Sequence, residues 1–389
     1  MQSQMFIANE LSSNRGSREV TSAGRIAVAD WGKSSDAPNV LAGIHENITR
    51  FITSPGVKEQ TPAMDYSQEL KLVTATIREP LARVETLLRE QLRHETREIQ
   101  AILDHVAEMG GKRLRPALLL LAAQASGKIT DEAIRLAVVV ELVHTATLVH
   151  DDILDGANSR RHRETVHRKW NRQISILAGD WLFTQAYFLA NQGESTIPGR
   201  WIAQAAKEVC EGEIRQNLAV ENFELKQPEY FDILGAKTGS LCGVSCKLGA
   251  WAAGASEAVC NSQYEYGMNL GLAFQIHDDW LDYWGTKERL GKPVGGDYLA
   301  AKPTLPMIHA LGSATPQERE NLLELCSSPS SENFEQFKIV INRFGASDFT
   351  KEMARSFSIQ AIGGLRSAGL NGKANWLERL AIAAVARAA

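Results

Sequence analysis

Two hexapeptides of the form His-Asp-Asp-x-Leu-Asp stand in this chain, HDDILD at 150–155 and HDDWLD at 277–282. They hold six of the fifteen aspartates in 389 residues, so acidity is concentrated rather than spread. Each lies in an apolar run with helical spacing, which predicts a helix under each. On a helix, residues three and four apart are neighbours on one face. Asp151 with Asp155, and Asp278 with Asp282, should project together, with Asp152 and Asp279 beside them. Such clusters on apolar helices repel themselves and resist burial unless a cation sits between them. Hard divalent cations take oxygen ligands, and Mg²⁺ usually shares its shell with substrate phosphates. One cluster of this kind could be a solvated cap. Two copies, each followed by basic residues, point instead to metal-assisted chemistry on a diphosphate.

The basic residues offer the matching half. Gly110-Gly111-Lys112-Arg113-Leu114-Arg115-Pro116 opens a helix. Free N–H groups, the helix dipole and two kinds of cation can hold an anion there, although an ordinary solvated basic turn has the same composition. Arg160 and Arg161 follow Asp155 by five and six residues. They either neutralise the acids or fork onto the same diphosphate. Lys237 and Thr238 interrupt an apolar helix, where a lysine calls for a polar cavity. Lys292 and Lys302 bracket a Gly-rich loop after the second acidic cluster. Gln275 stands three residues before Asp278, and His144 seven before Asp151, each on the acidic face. A lone histidine on an apolar helix is usually a core residue; this alignment makes His144 a site candidate as well. Together these groups suit departure of a diphosphate from a greasy substrate, with a dry cavity sheltering the carbocation.

The elements that must position these residues read as helices. From about residue 66, apolar positions recur at helical spacing nearly to the end, and breaks carry Gly, Pro, Ser or Asn. Leu70, Leu72, Val73, Ile77, Leu81, Val84, Leu87 and Leu88 form one long stripe crossed by Pro80. Further helices are expected over roughly 97–109, 113–125, 131–153, 172–190, 198–220, 228–252, 256–285, 316–327, 332–343, 346–368 and 373–388. Alternating strand patterns are absent. The fold class is therefore all-α, one large helical-bundle domain over 63–389. Stretches such as 131–149 and 241–254 are apolar on most faces, so they belong at its centre. Residues 1–62 are rich in Ser, Gly, Asn and Thr and read as a flexible extension with one short amphipathic helix over 39–52.

Composition excludes several classes. Hydrophobic content of 44% with 23% charged residues is ordinary for a globular protein. A net charge of −4 leaves no basic field for nucleic acid. No apolar stretch reads as long and clean enough to span a bilayer, and the first twenty residues lack a signal-peptide core. The five cysteines have no ligand spacing of weight and read as buried free thiols. A cytoplasmic location is expected.

At this point the chain resembles the trans-isoprenyl diphosphate synthases from about residue 66 to the end. The landmarks are GGKRLRP at 110–116, DDILDGANSRR at 151–161, KTG at 237–239, FQIHDDWLD at 274–282 and GKPVGGD at 291–297. The resemblance implies an all-α fold around a deep central cavity, usually as a homodimer. It implies condensation of isopentenyl diphosphate with an allylic diphosphate by ionisation, addition and proton loss. It implies Mg²⁺, three ions per active site, with Mn²⁺ able to substitute. Asp151, Asp155 and Asp278 then resemble the metal ligands, and Asp152, Asp279 and Asp282 complete the clusters, some through water. Arg160 resembles a contact of the allylic diphosphate. Lys112, Arg115, His144 and Arg161 resemble the isopentenyl diphosphate site. Lys237, Thr238, Gln275, Lys292 and Lys302 resemble the groups around the allylic diphosphate and the reacting carbons. Proton removal falls to the departing diphosphate.

Two departures stand out. His162 replaces the glycine usual after the Arg pair, and Ala300-Ala301 replace the acidic residue and glycine that often precede the lysine. Terpene cyclases share one DDxxD cluster but generally lack GGKRxRP and carry a different second motif. Non-catalytic subunits typically lose one cluster. Both clusters and GGKRLRP are intact here, so an elongating synthase is expected. In this family the residues five and four before the first cluster often floor the cavity, and here they are Ala146 and Thr147. Neither is aromatic, so the product should have twenty carbons or more. A bulky residue on a facing helix, such as Phe183, Tyr187 or Phe188, would instead give a short farnesyl-type product.

Overall fold

Helix starts follow caps written into the sequence. Thr130 Oγ1 accepts from Ala133 N at 3.1 Å, Asn171 Oδ1 accepts from Ile174 N at 2.8 Å, and Ser256 caps through Val259 N. Each satisfies an N–H that the first turn leaves unpaired. In this computed structural model, residues 66–286 and 294–386 are described. The extension over 1–62, its helix over 39–52, the boundary at 63, and Lys292 lie outside them.

The elements run α1 Tyr66–Ala75, α2 Arg78–Gln91, α3 Arg97–Glu108, α4 Leu114–Ser126, α5 Asp131–Leu154, α6 Val166–Lys169, α7 Arg172–Ala190 and α8 Ile197–Leu218. Then come α9 Gln227–Leu234, a π-helical turn Gly235–Gly239, α10 Ser240–Ala252, α11 Glu257–Trp284, α12 Gly296–Leu299 and α13 Leu305–Ser313. Four more helices close the chain: Pro316–Ser327, Ser331–Arg343, Ala346–Ser367 and Asn375–Val385. The all-α class stands, with local differences. The stripe over 70–88 is two helices broken at Thr76-Ile77, and Pro80 sits in the first turn of the second, where its missing N–H leaves no gap. The stretch 228–252 is α9, the π turn and α10. The helix α13 was not expected. One antiparallel strand pair is present, β1 Ser159–Arg160 with β2 Arg163–Glu164; two residues a side are too few to show alternation.

The centre is α5, packed on α4 and α7, with α10 and α11 closing the other side. α5 corrects one expectation: by length and composition it could cross a membrane, with mean hydropathy 1.5. A helix wrapped by neighbours on nearly all faces carries the same apolar composition as a membrane span. Here 67% of its apolar window is buried inside the protein. The cysteines are free, but Cys210 is exposed; the other four are buried.

Close helix approach brings the site together. A Cβ on Gly271 of α11 would stand 2.8 Å from Gly239 Cα, and one on Gly212 of α8 would stand 2.5 Å from Lys237 N. The π turn is thus gripped from both sides by glycines. Gly271→Val is expected to destabilise the protein by about 1–3 kcal/mol, the usual range for overpacking. Thermal unfolding checks this, and a midpoint unchanged from wild type would contradict the packing described.

Candidate active site

Two chambers adjoin at the centre. The larger, about 1010 Å³, is lined by the basic loop 110–115, by Glu141, His144, Arg160 and Arg161, and by Gln275 and Asp278. The smaller, about 210 Å³, is lined by Asp151, Glu213, Lys237 and Thr238, with Thr147, Leu148, Val209, Cys242 and Leu270 as its apolar part. Tyr66, Arg115, His144, Leu148, Phe274 and Gln275 line both. A polar vestibule therefore opens onto a drier chamber.

The six aspartates divide into two groups. Asp151 and Asp278 line the chambers, and Asp155 is exposed at the end of α5, with Lys302 Nζ 3.8 Å away. Asp152, Asp279 and Asp282 are more deeply buried and accept hydrogen bonds from other parts of the chain. Arg160 Nε donates to Asp152 Oδ1 at 2.7 Å. Tyr230 O–H donates to Asp279 Oδ2 at 2.6 Å and Gln275 Nε2 to Asp279 Oδ1 at 3.1 Å. Asp297 N donates to Asp282 Oδ2 at 2.9 Å. Arg160 thus makes the salt bridge that its spacing allowed.

These residues fit a divalent cation that arrives with phosphate. Burial, and next the neighbouring Glu213 carboxylate, push Asp151 up to about 6. A cation between these acids would reverse that shift. Asp152 Oδ2 is buried with no hydrogen-bond partner. Among the described residues no three side chains form a ready metal cage. Mg²⁺ usually completes its shell with substrate oxygens and water.

The cationic side is equally specific. Arg113 has φ +50° at the start of α4, a left-handed backbone conformation uncommon outside glycine. Arg113 is consumed internally, donating to Glu85 at 2.5 Å and to Glu141 at 2.7 Å. Arg115 Nε is buried without a partner, an orphan donor that an anion would satisfy. Arg161 donates to Met109 O at 2.9 Å and lies across Gly111, where a Cβ would meet its guanidinium at 2.7 Å. Lys112 Nζ reaches Ser67 Oγ at 3.4 Å. Burial, then Arg115 and the other guanidiniums, hold His144 well below its ordinary range. It is a neutral imidazole facing both chambers.

In the smaller chamber, Lys237 Nζ is held by Glu213 Oε2 at 2.5 Å and Gln216 Oε1 at 2.7 Å. Thr238 Oγ1 donates to Gln275 Oε1 at 3.3 Å. Glu213, Gln216, Tyr230, Glu141 and Arg113 were not singled out from the sequence. Glu213 and Gln216 sit three apart on α8, a helix whose inward face periodicity marks only as apolar. Tyr230 precedes Lys237 by seven residues, the same spacing that flagged His144.

The chain-length residues separate. Thr147 lines the smaller chamber, whereas Ala146 is fully buried and lines neither. Phe183 stacks on Tyr187 with centroids 6.4 Å apart and packs against the His150 ring. Phe188 is 63% exposed, so it points away from the cavity and cannot close it.

Comparison with known proteins accords with this geometry. The polyprenyl synthetase family profile matches residues 96–343. A short chain isoprenyl diphosphate synthase of Methanothermobacter thermautotrophicus is 34% identical over 255 residues, 64% of this chain and 78% of that protein. Heptaprenyl diphosphate synthase component 2 of Bacillus subtilis is 32% identical over 310 residues, 80% of this chain and 87% of that protein. The crystal structure of a polyprenyl synthase from Caulobacter crescentus, complexed with calcium and isoprenyl diphosphate, superposes with a TM-score of 0.75 at 33% identity. That likeness covers 85% of this chain and 100% of the other. The chain belongs to the polyprenyl synthetase family and is a prenyltransferase.

Proposed function

We propose that this enzyme adds isopentenyl diphosphate to an allylic diphosphate and extends the product to twenty carbons or more. The observation that carries the reading is the adjoining pair of chambers: Asp151 and the Lys237 turn line the smaller, Asp278 and the basic loop line the larger, and the orphan Arg115 Nε belongs to a side chain that lines both. Asp151, Asp155 and Asp278 would hold Mg²⁺, which when bound neutralises the allylic diphosphate and eases its departure. Three ions, with Mn²⁺ able to substitute, remain the expectation. Lys237, Thr238, Gln275 and Lys302 orient that diphosphate. Lys112, Arg115, Arg161 and neutral His144 hold the second diphosphate, so the nucleophilic double bond points at the dry chamber. Leu148, Val209, Leu270 and Phe274 exclude water from the allylic cation. The departing diphosphate takes the proton.

Incubation with Mg²⁺, isopentenyl diphosphate and allylic primers of different length, read by mass, tests the reading. No elongation of any primer would defeat it. Thr147 is small and lines the wall below Asp151. Thr147→Tyr is expected to shorten the main product by one or more isoprene units, since a helical turn of about 5.4 Å is near one unit in length. An unchanged product distribution would put the tail elsewhere.

A homodimer is also proposed. Ile176, Leu177 and Phe188 on α7, with Ile214 and Leu218 on α8, are exposed at 46–78%, more apolar surface than two neighbouring helices usually leave to water. Light scattering on the purified chain measures the assembly; a monomer at micromolar concentration would count against it.

A further inference from the structure

We infer that Tyr230 is a positioning residue for the allylic end of the site, acting through an Asp279 that serves as an anchor rather than as a direct metal ligand. The inference rests on the reaction proposed above. Tyr230 lies on α9 and is 3% exposed; Asp279 lies on α11 and is 5% exposed. The Tyr230 hydroxyl donates to Asp279 Oδ2 at 2.6 Å, and Gln275 Nε2 donates to Asp279 Oδ1 at 3.1 Å. Each carboxylate oxygen therefore already has a donor from the protein. Gln275 in turn accepts from Thr238 Oγ1 at 3.3 Å. The result is a closed circuit: α9, then α11, then back to the π turn that α9 leads into.

The circuit explains how a wide turn is kept in one conformation. A π turn is looser than an α turn and is commonly found where function needs it. Here the turn carries Lys237 and Thr238 into the smaller chamber. Glycines let α8 and α11 approach it, but contact alone does not set a rotation. The Tyr230–Asp279–Gln275–Thr238 chain does, because each bond is directional. Tyr230 does not itself reach that chamber. It lines a separate small void behind it, with Gln216, Lys237, Gln275 and Asp279. Its effect must pass through Asp279. The cations of the basic loop and of the β1–β2 turn lie on other elements and are not part of the circuit. Loosening it should weaken one substrate and spare the other.

Tyr230→Phe keeps the ring that packs edge-on against Phe231 at 5.4 Å and deletes only the donor. The expected result is a loss of about tenfold in kcat/KM for the allylic primer, the size of a lost bond to a charged group. KM for isopentenyl diphosphate should stay within about twofold. Calorimetry with the primer and Mg²⁺, without isopentenyl diphosphate, should show Kd raised by a similar factor. Asp279→Asn is the second variant, retaining shape and one acceptor, and it carries the test if Tyr230→Phe does not fold. It should give the same split while moving the Mg²⁺ concentration for half-maximal activity less than Asp278→Asn does. The inference is overturned if both KM values move together, if neither moves, or if Asp279→Asn shifts the Mg²⁺ requirement as far as Asp278→Asn. Failure of the wild-type chain to elongate any primer would overturn the reaction instead.

Discussion

Asp151→Ala and Asp278→Ala are each expected to lower turnover by about 10²-fold or more at saturating Mg²⁺, the scale seen when a group stabilising transition-state charge is removed. The two carboxyls line adjoining chambers from different helices, α5 and α11. A diphosphate bridged to both would feel the loss of either. The physical cause is electrostatic: in a site shielded from water, each ligand keeps positive charge beside the leaving group, and bulk solvent cannot replace it. Raising Mg²⁺ should not restore the rate, because the bound ion itself would be displaced. Asp348→Ala serves as the control; its side chain is 93% exposed and pairs only loosely with Lys351 at 3.6 Å, so it should behave as wild type. Steady-state turnover with a fixed primer measures all three. Near-normal rates for Asp151→Ala or Asp278→Ala would remove the metal assignment.

The second large effect belongs to the basic loop. Arg115→Ala and Lys112→Ala are expected to raise KM for isopentenyl diphosphate by about tenfold or more, with a smaller change for the primer. A charged hydrogen bond is worth roughly 1.5–3 kcal/mol. Arg115 should show the larger effect. Its Nε is buried with no partner, so the substrate gains a donor that water does not reach. Lys112 is exposed, and its ammonium is well solvated before binding. Arg113→Ala should behave differently. It breaks the pairs with Glu85 and Glu141 and would lower stability as well as affinity. Initial rates over a grid of both substrates separate these cases, and equal rises in both KM values would contradict two distinct diphosphate sites.

The two departures from the family pattern have a common backbone explanation. His162 has φ +65° and Ala301 φ +49°, both in the left-handed region that favours glycine. Arg161, at φ +52°, shares the two-residue turn between β1 and β2, whose type calls for positive φ at both positions. The substitutions leave the turns in place at some strain. Tertiary contacts hold them: Arg161 bonds Met109 O, and Glu221 N donates to Ala301 O at 2.9 Å.

Much of the molecule was legible because its signals are local. Helical periodicity is a property of neighbouring residues, so the helices and the central place of 131–149 could be read directly. The acidic hexapeptides were legible for the same reason, since i to i+4 spacing alone puts Asp151 beside Asp155. Partners distant in sequence are not legible locally. Spacing places Asp152, Asp279 and Asp282 beside the other acids, and the fold adds their partners: Arg160, Tyr230 with Gln275, and the Asp297 N–H. Phe183, Tyr187 and Phe188 are equal candidates for closing the cavity by sequence, and only the fold shows that α7 turns the Phe188 ring to the surface.

Composition and short-range spacing are thus enough for the all-α class and for the prenyltransferase family, because both signals are local. Tertiary structure alone decided which acids face the cavity, how Lys237 is held by Glu213 and Gln216, and that Thr147 rather than Ala146 meets the smaller chamber. Those outcomes depend on the rotation of each helix about its axis and on the glycine contacts at Gly212 and Gly271. Such rotations are set by packing between helices far apart in the chain, and no window of consecutive residues contains them.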